Sequence, residues 1–116
     1  MADDNHLKEI RRQLALLARR KNARFAEFSR ESPTRWEPGR VIDPATSLPF
    51  SPSGAWEFIA DVLEAGAELY QIELERPPGA VAYYFTVACG KITLYVKLQL
   101  GAGNVIGRSF HCSDRI

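Results

Sequence analysis

The segment ITLYVKLQL, from Ile92 to Leu100, alternates apolar and polar side chains without a break. Successive side chains of a β-strand point to opposite faces, so this alternation predicts a strand with one apolar and one polar face. The apolar face needs a second layer that removes it from water. This one segment therefore predicts a sheet that packs on helices with one face and leaves its other face open.

Three neighbouring segments also have the pattern of strands. They are YQIELE from Tyr70, VAYYFTVA from Val81 and NVIGRSFHC from Asn104. Short stretches rich in glycine or proline separate the four segments: RPPGA, then Cys-Gly-Lys at 89–91, then Gly-Ala-Gly at 101–103. Because such short turns join antiparallel neighbours, the C-terminal half is predicted to be a meander of about four antiparallel strands.

A helix is predicted immediately before this meander. Ser51 is a suitable N-cap, and Pro52 fits the first helical turn, where its missing N–H is not needed. Gly66 is the expected stop, since glycine tolerates the left-handed conformation that often ends a helix. The predicted buried face of this helix comprises Trp56, Ile59, Ala60 and Leu63.

The N-terminal segment, residues 1–31, is predicted to be helical as well. Apolar residues recur there at steps of three and four between Leu7 and Ala18, which gives one apolar stripe. Phe25 and Phe28 either continue this helix or begin a short second one. The stripe is suited to docking on the body of the protein or on another protein.

Residues 32–53 connect the two helices and contain five prolines without any periodicity. Proline fixes φ and removes a hydrogen-bond donor, so this stretch is predicted to be an extended strap. The strap is too apolar for a free linker, and its predicted anchors on the body are Trp36, Val41, Ile42, Leu48 and Phe50. With residues 54–116 forming the helix and the sheet, all 116 residues make one domain of the α+β class.

The overall composition is that of a soluble globular protein, with 46% hydrophobic residues, 25% charged residues and a net charge of +1. No segment has the length of a membrane span or the layout of a signal peptide, so a cytoplasmic location without membrane contact is expected. The two cysteines and two histidines have no metal-binding spacing. Neither a metal nor another cofactor is therefore expected.

The near-neutral net charge conceals a basic front end. Residues 1–40 carry ten Lys and Arg against six Asp and Glu, whereas residues 41–116 carry five against eight. Arg19, Arg20, Lys21 and Arg24 form the densest run and are predicted to bind an anionic partner, either nucleic acid or an acidic protein. The alternative is that this run is only the solvated face of a helix.

Reactive side chains concentrate on the polar face of the last two strands. Tyr95, Lys97 and Gln99 follow one another on one strand, and the next strand adds Ser109 and His111. Strict alternation would bury Arg108 between two apolar residues, so Gly107 is predicted to mark a β-bulge that redirects one set of side chains. A wet sheet face carrying such residues by chance is the competing interpretation.

This set matches what RNA cleavage without a metal requires. One group takes the proton of the 2′-hydroxyl, a second gives a proton to the departing 5′-oxygen, and cations stabilise the charge on the phosphate. Histidine titrates near neutral pH and suits either proton-transfer role. Tyr95 is a candidate acid or positioning group, and Lys97 and Arg108 are candidate cations.

The stretches LYVKLQL and VIGRSFH, joined by a glycine-containing turn, resemble the C-terminal end of the MqsR-type toxins, which are mRNA interferases of bacterial toxin–antitoxin pairs. The last two strands of that family read Tyr-Leu-Lys, then a short turn, then Ser-Phe-Lys. The resemblance places the family's catalytic tyrosine at Tyr95, the following lysine at Lys97 and its last catalytic lysine at His111. The final position departs from the family, and the match covers about the last twenty residues.

The resemblance implies a RelE/MqsR-like fold, in which a small antiparallel sheet of about four strands packs on two helices. It implies a metal-independent endoribonuclease with Tyr95, Lys97 and His111 as catalytic residues, to which the pattern of the last strand adds Arg108. RNA, free or on the ribosome, would be the substrate, with Gln99, Ser109 and the basic run as its binding residues, and an antitoxin protein would be the partner.

The alternative function is a protein-binding module, an inactive RelE-like or immunity-type protein that holds its partner with the N-terminal helix and the strap. A small-ligand pocket protein is a third option. Arg108 and His111 distinguish the first two functions. If both are exposed beside Lys97 on one concave surface, catalysis is favoured. If either is buried, the binding module is favoured.

Overall fold

The protein is built from two helices and eight strands within residues 4–26, 29–31 and 33–113, the part of the chain described by its computed structural model. Helix α1 (Asp4–Arg19) comes first and α2 (Pro52–Glu64) lies mid-chain. Four short strands lie between the helices: β1 (Arg24–Phe25), β2 (Arg35–Trp36), β3 (Ile42–Asp43) and β4 (Leu48–Pro49). Four further strands follow α2: β5 (Tyr70–Glu73), β6 (Val81–Cys89), β7 (Ile92–Leu100) and β8 (Val105–Cys112).

The main sheet has the order β1-β8-β7-β6-β5, and β2 also pairs with β8. Strands β5 to β8 form the expected antiparallel meander, so the α+β class with a mostly antiparallel sheet is confirmed. The count of about four strands is wrong, because β1 and β2 add to the outer edge of β8 in parallel and β3 pairs with β4 in a separate small sheet. These strands have two residues each, which is too short for alternation to show.

The two helices cover one face of the sheet and form the core with it. Leu94, Val96 and Leu98 of β7 have no solvent exposure, as the alternation predicts. In α2 the side chain of Ser51 accepts a hydrogen bond from the Gly54 N–H, which confirms the predicted N-cap. Gly66 has a φ of 96°, which suits the predicted stop. The predicted face of α2 is buried: Trp56, Ile59, Ala60 and Leu63.

Helix α1 ends at Arg19, earlier than the prediction for the whole segment 1–31. The Arg24 guanidinium donates a hydrogen bond of 2.8 Å to the Ala18 carbonyl, one of the carbonyls left open at the helix end. A helical turn at Lys21–Ala23 then leads into β1. Phe25 consequently lies in a strand, while Phe28 lies outside the described residues.

The strap is anchored by three of its five predicted residues. The Trp36 ring centroid lies 4.8 Å from that of Trp56 on α2, and Val41 and Phe50 are buried. Ile42 and Leu48 are exposed by 54% and 64%, so their predicted role as anchors is wrong. Both lie in the β3–β4 hairpin, whose backbone contacts β6 through the Ile42 oxygen and Cys89 while these two side chains remain exposed.

The Trp36 ring of the strap packs directly against Gly107 of β8, which leaves no room for a side chain there. A Cβ built on Gly107 would lie 2.5 Å from Cζ3 of Trp36, whereas a Cβ on Gly39 would meet nothing within 4 Å. We therefore expect Gly107→Ala to lower the free energy of unfolding by about 1–3 kcal/mol through overpacking. Gly39→Ala is the matched control and should change it by less than about 0.5 kcal/mol. Urea unfolding followed by tryptophan fluorescence measures both values, and equal values would contradict the assigned position of Trp36.

Candidate functional site

The sheet face turned away from the helices, here called the open face, carries the polar set predicted from the sequence. Residues that lie directly opposite each other on neighbouring strands point to the same face of a sheet. The register of β6, β7 and β8 therefore shows which side chains share the open face. Tyr95 pairs with His111, and Lys97 pairs with Ser109, which agrees with the prediction that Tyr95 or Lys97 lies near Ser109 or His111. Lys97 also pairs with Tyr84 on its other side.

Four aromatic rings cross the open face in a continuous row, here called the ring row. Tyr70, Tyr84, Tyr95 and His111 come from four successive strands, with neighbouring ring centroids 5.2, 5.4 and 5.4 Å apart. Adjacent ring planes differ by only 24° to 30°. Rings lying flat and side by side would overlap at these separations, so the rings stand on edge in offset stacks. The row therefore presents ring edges and phenol groups to solvent.

His111 lies at one end of this row with a defined hydrogen bond. Its Nδ1 lies 2.8 Å from the backbone oxygen of Cys112. A carbonyl oxygen only accepts, so Nδ1 carries the proton in this contact. In the neutral ring Nε2 then holds the lone pair and can act as a base. His111 is partly exposed, which leaves this nitrogen within reach of a ligand.

Lys97 lies beside the ring row at the mouth of a pocket of about 470 Å³. Burial lowers the pKa of Lys97, and the nearby Arg108 guanidinium lowers it further. Glu75 opposes both effects. A lysine with a lowered pKa in a recess is typical of functional sites, although ion-pair networks produce it as well. The pocket is lined by Pro33, Ile72, Glu73, Leu74, Glu75, Arg76 and Lys97.

The predicted bulge is present, and it buries Arg108. In the β7–β8 register, Lys97 faces Ser109 and the next residue, Leu98, faces Gly107, so Arg108 is the extra residue of β8. Its side chain is 3% exposed and donates a hydrogen bond of 2.8 Å to the Arg76 carbonyl in the turn after β5. Arg108 thus holds this turn over the sheet and does not present its guanidinium to solvent.

The other predicted substrate-binding residues of this face differ in accessibility. Ser109 is 6% exposed, so it lies beneath the same covered region as Arg108. Gln99 is partly exposed and pairs with Ile106. The accessible part of the predicted catalytic set is therefore Tyr95, Lys97 and His111.

The basic run does not join this site. Arg19 binds three carboxylates of α2, with N–O distances of 2.6 Å to Glu57, 2.6 Å to Asp61 and 2.9 Å to Glu64. Arg24 binds Glu57 at 3.0 Å, and its side chain is 7% exposed. These two residues fasten α1 and β1 to α2 in the helical layer, so only Arg20 and Lys21 of the run are exposed.

The Arg19 cluster gives a pH-dependent prediction. Hydrogen bonds from Arg19 lower the pKa of Glu64 and, together with Arg24, that of Glu57. A carboxylate with a lowered folded-state pKa stabilises the protein above its ordinary value of 4.5, and this contribution is lost as the pH falls through the folded-state pKa. We expect Arg19→Gln to lower the melting temperature at pH 7 and to have a shrinking effect below pH 4.5.

Arg20→Gln is the matched control, since Arg20 is exposed and adjacent to Arg19. Thermal unfolding of both variants and the wild type between about pH 3 and pH 7 spans the window in which these carboxylates titrate. A destabilisation by Arg19→Gln that stays constant across this window would contradict the ion-pair assignment.

Two of the four rings of the row, Tyr70 and Tyr84, were not predicted as site residues. Tyr84 lies between the buried Tyr83 and Phe85, and Tyr70 begins an exposed strand, but the sequence alone does not state which residues of β5, β6 and β7 share one row. The signal available was the concentration of tyrosine on three successive predicted strands. Only the register converts that composition into stacked rings.

Comparisons of the chain with protein-family models, with curated proteins and with solved structures found no match. Within the described residues, no group of three or more His, Cys, Asp or Glu side chains is placed to hold a metal ion. No helix in that part of the chain is both long and apolar enough to cross a membrane.

Proposed function

We propose that the open face is the working surface of a toxin-type endoribonuclease that cleaves single-stranded RNA without a metal. The observation that supports this function best is the stack of His111 on Tyr95, at 5.4 Å between centroids, with Lys97 two residues further along the same face. A proton acceptor, a proton donor and a cation are thereby within reach of one phosphate. The resemblance to the MqsR-type toxins points to the same residues.

RNA binding would use the ring row together with Lys97. Proteins that bind single-stranded nucleic acids combine aromatic side chains with cations along the backbone. The exposed phenols of the row can also hydrogen-bond to bases and to 2′-hydroxyl groups. A strand of RNA crossing the sheet from β5 to β8 would place its backbone beside Lys97 and reach His111 at the end of the row.

The proposed reaction starts with His111. Its Nε2 takes the proton of a 2′-hydroxyl, and the 2′-oxygen forms a bond to phosphorus while the bond from phosphorus to the 5′-oxygen breaks. Tyr95 gives its proton to the departing 5′-oxygen. Lys97 stabilises the charge on the phosphate oxygens. The products are a 2′,3′-cyclic phosphate and a free 5′-hydroxyl.

A protein-binding module is the second candidate, and two observations favour it. Arg108 is buried, which is the outcome expected of the binding module, and its burial removes one of the two cations expected around the phosphate. Ile42 and Leu48 on the strap are exposed on the two faces of the β3–β4 hairpin, where a partner could cover them. The partner of such a module would be a protein held on the strap, and the open face would then carry its tyrosines without catalysing a reaction.

Incubation of the purified protein with 5′-labelled single-stranded RNA, with and without EDTA, separates the two candidates. The endoribonuclease gives fragments ending in a 2′,3′-cyclic phosphate at equal rates in both conditions. The same reaction with ribosomes and a translated message tests whether cleavage needs the ribosome. RNA that stays intact in all these reactions would exclude the nuclease and leave the binding module.

A further inference from the structure

The free edge of β5 has the properties of a docking site for a strand from another protein. Within the described residues, β5 is the last strand on its side of the main sheet, and all four of its residues, Tyr70–Glu73, are exposed. Natural proteins usually protect such an edge with charged side chains, proline, a bulge or a very short strand. Between Tyr70 and Glu73, the four-residue β5 has neither proline nor a bulge, and its only charged side chain is Glu73.

The hydrogen bonds between β5 and β6 determine which N–H and C=O groups of β5 point to the free edge. The Leu74 N–H donates to the Ala80 carbonyl at 2.7 Å, so Leu74 faces the β6 side. Backbone groups of an antiparallel strand alternate between its two neighbours. Ile72 and Tyr70 therefore also face β6, whereas Gln71 and Glu73 direct their N–H and C=O groups to the free edge.

The side chains around this edge specify the charge of a partner. Glu68, Glu73 and Glu75 lie on or beside β5, while the cations near them lie outside the strand: Arg76 and Lys97 line a pocket with Glu73 and Glu75, and Arg11 donates to the Ala67 carbonyl. The pKa of Tyr70 is raised by the Glu68 carboxylate, which shows that this charge acts on the edge itself. A strand with Lys or Arg side chains would be attracted, and an acidic strand would be repelled.

The same charges disfavour pairing between two copies of the chain. Because Gln71 and Glu73 face outward, an antiparallel pair centred on Glu73 would place this residue opposite Glu73 of the second copy. Registers centred on Gln71 or Ile72 avoid that contact but still bring the glutamates of both copies to one seam. Like charges directly opposite each other destabilise strand pairing.

We infer that the β5 edge binds an extended, basic segment of a partner protein by β-strand addition. In this mode main-chain hydrogen bonds supply affinity and alternate side chains supply specificity. Tyr70 and Ile72 project on the open face, and Gln71 and Glu73 project on the helix side. The segment should therefore alternate apolar residues, aligned with Tyr70 and Ile72, with Lys or Arg residues, aligned with Glu73.

A fluorescein-labelled hexapeptide of alternating lysine and valine is a direct probe, with a peptide of three valines followed by three lysines as its control. Fluorescence anisotropy should detect binding of the alternating peptide, weakening as NaCl rises from about 50 mM to about 500 mM. The control peptide has the same charge and should bind at least about tenfold more weakly, because it cannot present one apolar and one basic face.

Two variants test the edge itself. Gln71→Pro removes an outward N–H without removing a bond to β6, and we expect it to weaken binding about tenfold or more. Gln71→Ala keeps the N–H and should bind like the wild type. Glu73→Lys keeps the backbone and reverses the charge, so it should weaken binding even if the proline variant fails to fold.

Amide hydrogen exchange identifies the groups involved. The Gln71 and Glu73 amides should exchange rapidly in the free protein and slowly with the alternating peptide, while the Ile72 amide is protected in both states. Equal binding of both peptides, unchanged exchange at Gln71 and Glu73, or a wild-type dimer that Gln71→Pro separates would each overturn the inference. RNA cleavage is not part of any of these readouts, so the result is independent of the proposed nuclease activity.

Discussion

Replacing His111 with alanine is expected to lower the rate of RNA cleavage about 10²- to 10⁴-fold, the usual effect of removing a proton-transfer group. His111 is partly exposed and ends the ring row, so its loss should remove Nε2 without opening the core. RNA affinity should change much less than the rate, because Tyr70, Tyr84, Tyr95 and Lys97 remain. Single-turnover cleavage and RNA binding, measured on the same preparation, separate the two effects.

Tyr95→Phe is the matched variant for the proton donor. It keeps the ring between Tyr84 and His111 and removes only the hydroxyl, so a loss of rate with unchanged RNA affinity identifies the proton. Expression of the wild type should slow bacterial growth, and His111→Ala and Tyr95→Phe should both relieve it. Full cleavage activity in His111→Ala would contradict the proposed mechanism, even if Tyr95→Phe were inactive.

Most of the fold could be predicted from the periodicity of apolar residues, because this pattern recurs several times along a long strand or helix. Alternation located the four antiparallel strands and assigned the buried face of β7, and capping residues located α2. Strands β1 and β2 could not be predicted, since a two-residue strand exists only through its pairing with β8. The end of α1 at Arg19 depends on contacts of Arg19 and Arg24 with α2, which are distant in sequence.

Contacts between distant segments limited the prediction of the candidate site even more than that of the fold. The sequence predicted that Tyr95 or Lys97 lies near Ser109 or His111, but the individual pairs depend on the bulge, because the turn length alone would pair Lys97 with Arg108 and Tyr95 with Phe110. Burial of Arg108 does not follow from the bulge alone, because it also requires the turn after β5 to lie over the sheet and accept its hydrogen bond. A charged residue beside a bulge can turn to either side, and only the packing of a distant turn decides which.

The free edge of β5 and the open face are two different surfaces that lie next to each other. Tyr70 belongs to the ring row and also to β5, whose outer edge is the proposed docking site for a basic strand. A partner bound there would lie beside the end of the row opposite His111. In a toxin–antitoxin pair, such a partner could change RNA access without contacting Tyr95 or His111. Competition between the lysine–valine peptide and RNA would reveal this coupling.

Leu98→Ala is expected to give the largest loss of stability, about 2–5 kcal/mol, as for other large-to-small changes at fully buried leucines. Leu98 has no solvent exposure and pairs in register with Tyr83 on β6 and with Gly107 at the bulge of β8. The missing methyl groups would leave a cavity bordered by backbone that the bulge already fixes, so the site has little freedom to collapse. Urea unfolding at equilibrium measures the change, and an unchanged slope with denaturant would show that the unfolded state is unaffected.

Leu48→Ala is the matched control, because Leu48 is 64% exposed in the β3–β4 hairpin and should lose less than about 0.5 kcal/mol. Equal losses at the two positions would mean that the apolar face of β7 is not the buried one, and the open face with its ring row would have to be reassigned.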